Sequence, residues 1–294
     1  MVEEKSISSR AFDIFNICLL SLLALLTLYP FLYVLFASVS NPTAFMKGDF
    51  VLLWRPLGFQ VESYRFVFRN RMIMTGFSNS VFYLFAGTAI SMVLTFLGAY
   101  VLSRSGYLLK KPLTMLIMFT MYFSGGMVPT FLTVKSLGML DSIWAILIPS
   151  ALSTYNMIVL RTAFSGIPKS LEESARIDGA NDFTILFRIM APLSLPTIAV
   201  IGLFYAVGRW NAWFNAVIYL RDRGLYPLQL VLREILITSN ADYMAQAGSS
   251  LELTALGELI KYATIIVATT PILVVYPFIQ RYFVKGMMIG AVKE

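Results

Sequence analysis

Charge is scarce in this chain, and it gathers in one place. Between Ile167 and Pro192 stand Lys169, Glu172, Glu173, Arg176, Asp178, Asp182 and Arg188. The local pattern predicts helix, turn, helix. Pro168 suits a helix start, Ser170 is a good N-cap, and Glu172 and Glu173 fall in the first turn, where the helix dipole favours acids. Leu171, Ala175 and Ile177 offer apolar contact. Gly179 can take φ > 0 and stop the helix. Asn181 or Asp182 can cap the next one, and Phe183, Leu186, Phe187 and Met190 then recur at helical spacing. Such a helix, acidic and with the small residues Ser174 and Ala175 on it, fits a partner's groove; the plain alternative is a solvated loop between helices. Catalysis is not the expected chemistry. The chain has no histidine and one cysteine, Cys18, in an apolar run. Histidine-based catalysis, an intramolecular disulfide and a cysteine metal cluster are therefore excluded, and no catalytic or metal-binding residue is assigned.

A second polar group sits inside an apolar stretch: Arg209, Trp210, Asn211, Trp213 and Asn215, with Tyr155 and Asn156 as weaker members. A cation at membrane depth costs about 2.5–3.5 kcal/mol and faces a cavity or a partner. Trp stacks on sugar faces, while Asn and Arg bond hydroxyls or carboxylates. On one continuous helix Asn211 and Asn215 share a face, and Arg209 and Trp213 share another. A substrate pathway through these residues is one reading. The others are snorkelling of Arg209, an ion pair or backbone bonds from it to a partner chain, and interfacial anchoring or packing by the Trp pair. If Arg209 serves the pathway, an anionic, carboxylate-bearing substrate is expected.

The elements that must position these groups are membrane helices. The chain has 294 residues, 58% of them hydrophobic and only 13% charged, with a mean hydropathy of +0.74. A soluble domain carries roughly 25% charged residues. This surface is too poor in charge to face water, which excludes a soluble globular protein and a disordered one. The net charge of +7 reads as orientation and headgroup charge against lipid, with no nucleic-acid role. Six apolar runs reach spanning length: Ile14–Val39, Asn79–Leu102, Leu113–Val134, Ser142–Phe164, Pro192–Leu220 and Tyr262–Phe283. They lack the alternation of barrel strands. The expected fold class is an all-α integral membrane bundle of six transmembrane helices. Met1–Arg10 mixes acids and bases, and the run after it is longer than a signal-peptide core, so that run is expected to stay as a membrane helix. Lys and Arg totals barely differ between the two sides. The short loop 103–112, with Arg104, Lys110 and Lys111 and no acid, places both termini in the cytoplasm.

These residues resemble a known family. Glu173-Ser174-Ala175 followed by Asp178-Gly179-Ala180, then Phe187 and Pro192, is similar to the EAA motif of bacterial ABC importer permeases, with Ser174 in place of the usual Ala. Asn79-Ser80, Gly98-Ala99-Tyr100 with Arg104, Gly125-Gly126-Met127-Val128-Pro129-Thr130, Leu137-Gly138-Met139-Leu140, Trp210-Asn211-x-Trp213-Phe214 and the tail Val284–Lys293 resemble the carbohydrate-uptake branch and its maltose-type "G" subunit, including permeases for poly- and oligosaccharides such as alginate. The resemblance implies three regions. Residues 1–78 are an N-terminal tail, first span and external loop; 79–283 are the permease core, with its coupling loop at 165–191; 284–294 are a cytoplasmic tail lying against the ATPases. It implies a multi-pass protein of the bacterial inner membrane that works with a second homologous permease, two ATP-binding cassette subunits and an extracytoplasmic solute-binding protein to import an oligosaccharide. Glu172, Glu173, Ser174, Ala175, Asp178, Gly179 and Ala180 would contact the ATPase. The chain has no GxxxxGK[ST] loop, so ATP and magnesium would be held by the partner ATPases, with no cofactor of its own and no enzymatic activity. A stand-alone secondary transporter or channel is the alternative. It calls for intramembrane acids, of which the spans hold almost none.

Overall fold

The computed structural model describes residues 7–47, 52–104, 109–245 and 251–291, and their side chains except at 7–8, 238–245, 251–255 and 278–291. Among the described residues the only extended pairing is an antiparallel bridge between Ser40 and Phe59; the rest of the regular structure is helical. The chain divides into two compact units, Met1–Asn70 with Glu234–Thr269, and Arg71–Arg233 with Thr270–Glu294.

In the first unit α1 (Ile7–Ser38) is apolar all round and exposed along most of its length, as a helix bathed in lipid must be. It hands over to α2 (Pro42–Lys47) through a local signal. Asn41 Oδ1 accepts from Thr43 N at 3.0 Å and Ala44 N at 3.1 Å, with Pro42 at the first helical position. α3 (Glu62–Arg69) follows. The core here is Ala37, Phe45, Leu53 and Leu259, backed by Tyr33 and Tyr262.

The second unit is organised by α4 (Arg71–Ser103). Its buried face is Gly76, Ser80, Tyr83, Gly87, Ser91, Thr95, Ala99 and Leu102. Small residues at helical spacing let neighbouring backbones approach where no hydrophobic effect drives association. α7 (Ile143–Leu147), α8 (Thr154–Ser165) and α12 (Leu195–Trp210) pack against it, and α5 (Lys110–Tyr122), α6 (Met127–Ser136), α9 (Lys169–Ile177), α10 (Asp182–Thr184), a π-helical stretch Ile185–Met190, α11 (Ala191–Leu193) and α13 (Phe214–Tyr219) belong to the same unit. α14 (Leu228–Ala245) and α15 (Leu251–Ala291) complete the chain.

The class is the expected all-α membrane bundle, but the spans are not six continuous helices. Among the described residues three helices, Ser9–Ser38, Arg71–Ser103 and Leu256–Pro277, are long and apolar enough to cross as single rods. The third expected span bends by 113° between α5 and α6. Gly126 has φ 83° and ψ −175°, with nothing within 4 Å of a β-carbon placed there; glycine is needed for the conformation and not for space. The fourth breaks between α7 and α8, where Pro149 has no N–H to donate and its ring blocks the helical path. The fifth turns by 89° between Asp182–Leu193 and α12, then breaks again at Asn211–Trp213. The helix therefore starts its straight run at Leu195 and not at Pro192. The expected tail from Gly286 continues α15 as backbone to Ala291; residues 292–294 and the tail's side chains lie outside the described residues.

Candidate functional site

α9 forms where the acidic pattern predicts a helix, with one correction at its start. Pro168 is the N-cap and Ser170 lies inside the first turn. Its end is a Schellman motif: Ala180 N donates to Ala175 O at 2.9 Å and Gly179 N to Arg176 O at 3.1 Å, with Gly179 at φ 82°. Asn181 then caps α10, its Oδ1 accepting from Thr184 N at 2.8 Å.

The two adjacent acids of α9 point to different tasks. Glu172 turns inward to an ion pair with Arg104, just past the end of α4, and accepts from Arg176 at 3.1 Å. Arg176 also pairs with Asp182 at 2.6 Å, and Tyr100 of α4 donates to the same Asp182 oxygen at 2.8 Å. The hydrogen bond donated to Glu172 and the charge of Asp182 raise the guanidinium pKa of Arg176 further, so it stays charged. Glu173, Ser174, Asp178 and Gly179 are exposed, and Glu173 has no ion pair among the described residues. Ala175 and Ala180 are half-buried against the core of Ala99, Leu160, Phe164 and Ile185. Ile177 is 87% exposed and Phe183 66%. The helix is pinned from behind and leaves an apolar, acid-edged surface exposed. Arg104 and Tyr100 carry the pinning. They belong to another element far off in sequence, and no spacing rule links them to Glu172.

The polar set of the fifth span is divided by the structure. Arg209 is buried and makes five hydrogen bonds within its own chain. Nη1 donates to Ile146 O and Ser150 Oγ, both at 2.8 Å; Nη2 donates to Ser150 O at 2.8 Å, Leu147 O at 3.2 Å and Ser91 Oγ at 3.3 Å. The carbonyls are those freed where the fourth span breaks, and unpaired carbonyls are not tolerated at membrane depth. Arg209 thus closes the broken helix. Trp210 is buried and packs edge-on against Phe77 at 5.8 Å. The ring of Trp213 is covered by Arg233 at 4.1 Å. Because the helix breaks at Asn211, helical spacing does not relate Asn211 to Asn215 or Arg209 to Trp213. Asn211 is exposed and Asn215 half-buried; Tyr155 is exposed and Asn156 buried. These residues do not converge on one surface.

The far end of α4 holds a loop. Asn79 Nδ2 donates to Gly224 O at 2.7 Å and Tyr226 O at 3.0 Å, Tyr83 donates to Leu225 O at 2.9 Å, and Ser80 Oγ accepts from Leu228 N at 2.8 Å. Asp141, itself at φ 56°, accepts from Arg221 N and Asp222 N, both at 2.8 Å. These two backbone bonds, from Asp222 first, hold its carboxyl below the usual range.

An all-helical bundle with broken spans and a short pinned helix between two of them has the form of a membrane transport subunit. Residues 103–289 match the binding-protein-dependent transport system inner membrane component family, and the chain belongs to it. It is 46% identical, over 97% of its own length and 99% of the relative's, to the polygalacturonan/rhamnogalacturonan transport system permease protein YtcP of Bacillus subtilis (strain 168). It is 26% identical to the arabinooligosaccharides transport system permease protein AraQ of Halalkalibacterium halodurans, over 92% of this chain and 93% of that one. A chain in the crystal structure of a bacterial ABC transporter involved in the import of the acidic polysaccharide alginate superimposes with a TM-score of 0.85 at 34% identity, covering 95% of this chain and 99% of that one.

Proposed function

We propose that this ABC importer permease translocates an oligosaccharide, and that α9 converts closure of partner ATPases into alternating access. The observation that carries the reading is the division between Glu172, bonded inward to Arg104, and Glu173, presented outward beside exposed Ile177. In this reading the chain works with a second permease, two ATP-binding cassette subunits and a solute-binding protein. ATP and magnesium belong to the ATPases, and this chain catalyses nothing itself. The protein lies in the bacterial inner membrane with both termini cytoplasmic. The Arg104–Glu172 pair supports this topology, since it brings the basic 103–112 loop and the coupling loop to one end of α4.

The sugar class is supported by the relatives, whose names specify polygalacturonan/rhamnogalacturonan, arabinooligosaccharides and the acidic polysaccharide alginate. A uronate-containing oligosaccharide fits two of the three. Arg209 does not supply that preference, because its donors are taken by its own backbone. The test is co-purification with candidate ATPases. Wild type should recover an ATPase subunit, whereas Glu173→Lys should insert normally and lose it. Equal recovery by both would contradict the role of α9. Deleting the chain from Met288 onward should likewise impair assembly or coupling, and normal transport by that truncated chain would remove the tail from the interface.

A further inference from the structure

A displacement of α9 can reach the spans by two routes. Along the backbone, the way to α12 passes Gly179 at φ 82°, a π-helical stretch and an 89° turn. Each is a joint where push is lost as bending. Through side chains the way is short. Glu172 pairs with Arg104 directly, the two side chains 19% and 17% exposed. Arg104 lies over the Tyr100 ring at 4.3 Å and reaches Met190 Sδ at 3.6 Å, and Lys110 Nζ donates to its carbonyl at 2.5 Å. Tyr100, Asp182, Arg176 and Glu172 complete a closed ring of polar contacts.

We propose that Arg104 is a positioning residue of the coupling machinery: it locks α9 to the second span, so that the two move as one body and α4 receives the stroke. This rests on the coupling reading above. Charges withdrawn from water attract one another more strongly than an exposed pair does, so this joint resists shear better than a surface salt bridge would. α4 then carries the motion about 35 Å, at 1.5 Å per residue, to the loop held by Asn79, Ser80 and Tyr83 toward its other end. Glu173 sits about 100° further round the helix and is exposed. Docking and locking therefore use different acids, and substitution separates them.

The experiment uses the complete importer reconstituted in liposomes with its binding protein, loaded with an alginate or galacturonate oligomer. It reads sugar imported per ATP hydrolysed, with recovery of the intact complex as control. Arg104→Gln should leave the complex and ATP hydrolysis in place; Glu172→Gln, on the coupling helix itself, is read only for sugar imported per ATP by whatever complex forms. Each should lower sugar per ATP by roughly 5-fold or more, the lower end of ordinary coupling energies. The double variant should be no worse than the poorer single one, because both remove the same joint. Arg104→Lys, which keeps the charge, should recover part of the loss. Wild-type stoichiometry in Arg104→Gln, or losses that multiply in the double variant, would overturn the proposal. So would a loss of Arg104→Gln complex that Arg104→Lys does not mend. Glu173→Lys tests the underlying reading separately: if it still binds ATPase and transports, the coupling assignment fails, whatever Arg104 does.

Discussion

A β-carbon on Gly87 would stand 2.8 Å from Nε of Arg209 and 3.1 Å from its Cδ and Cζ. The glycine of α4 is the floor on which the guanidinium lies while it reaches the carbonyls of Ile146, Leu147 and Ser150. Gly87→Ala gains at most about 1 kcal/mol of helix propensity. It pushes the arginine off its acceptors, at an overpacking cost of about 1–3 kcal/mol. The expected result is a lower melting temperature in detergent and less folded protein. Unchanged melting would show that the arginine can move aside freely.

Removing the cation itself should be worse. Arg209→Met leaves several buried carbonyls without a donor, at about 1–3 kcal/mol for each that finds no other partner. Loss of stability and of complex assembly is expected, for neutral and uronate substrates alike. Arg209→Gln separates the two roles: a stable complex that had lost only uronate uptake would return Arg209 to the substrate pathway.

Hydropathy located the apolar runs, because the energy of lipid burial is a sum over side chains. It is blind to where a run bends. Pro149 within the fourth run was the available signal for the break between α7 and α8, and Gly125-Gly126 marked the bend in the third. α9 was legible for a different reason. Gly179 and the Asn181 cap are local devices, and local devices are written in consecutive residues. The partners of Arg209 were not legible, since main-chain carbonyls look alike in any sequence. Arg104 and Glu172 meet only because the first turn of α9 lies beside the end of α4, a fact of tertiary structure.

At Gly179 the prediction concerns backbone shape. With φ at 82° and nothing within 4 Å of an added β-carbon, Gly179→Ala meets no clash and only the left-handed penalty, about 1–2 kcal/mol. Uptake should fall while membrane insertion is kept. Gly179→Asn, which tolerates that region better, should be milder. Equal uptake by all three proteins would show that the Schellman turn does not set the pose of α9.

Asp141 supplies an acid-sensitive contact. Its carboxyl is held down by the N–H groups of Asp222 and Arg221, so its folded pKa lies below its unfolded one. The stability it contributes is complete above the unfolded value, about 3.9, and is lost as pH falls through the folded value. Asp141→Ala should therefore lower the melting temperature at neutral pH and flatten its decline in acid. Parallel acid profiles for the variant and wild type would place the acid sensitivity elsewhere.

The most direct measurement is ATP-driven uptake. Liposomes should carry this chain with a sister permease, ATPases and a sugar-loaded binding protein, and uptake of a labelled uronate oligomer should be followed with and without ATP. Wild type is expected to accumulate the sugar only with ATP, with hydrolysis stimulated by the loaded binding protein, and Glu173→Lys is expected to do neither. Uptake that runs without ATP, or that survives Glu173→Lys undiminished, would contradict a coupling helix and a translocation subunit driven through it.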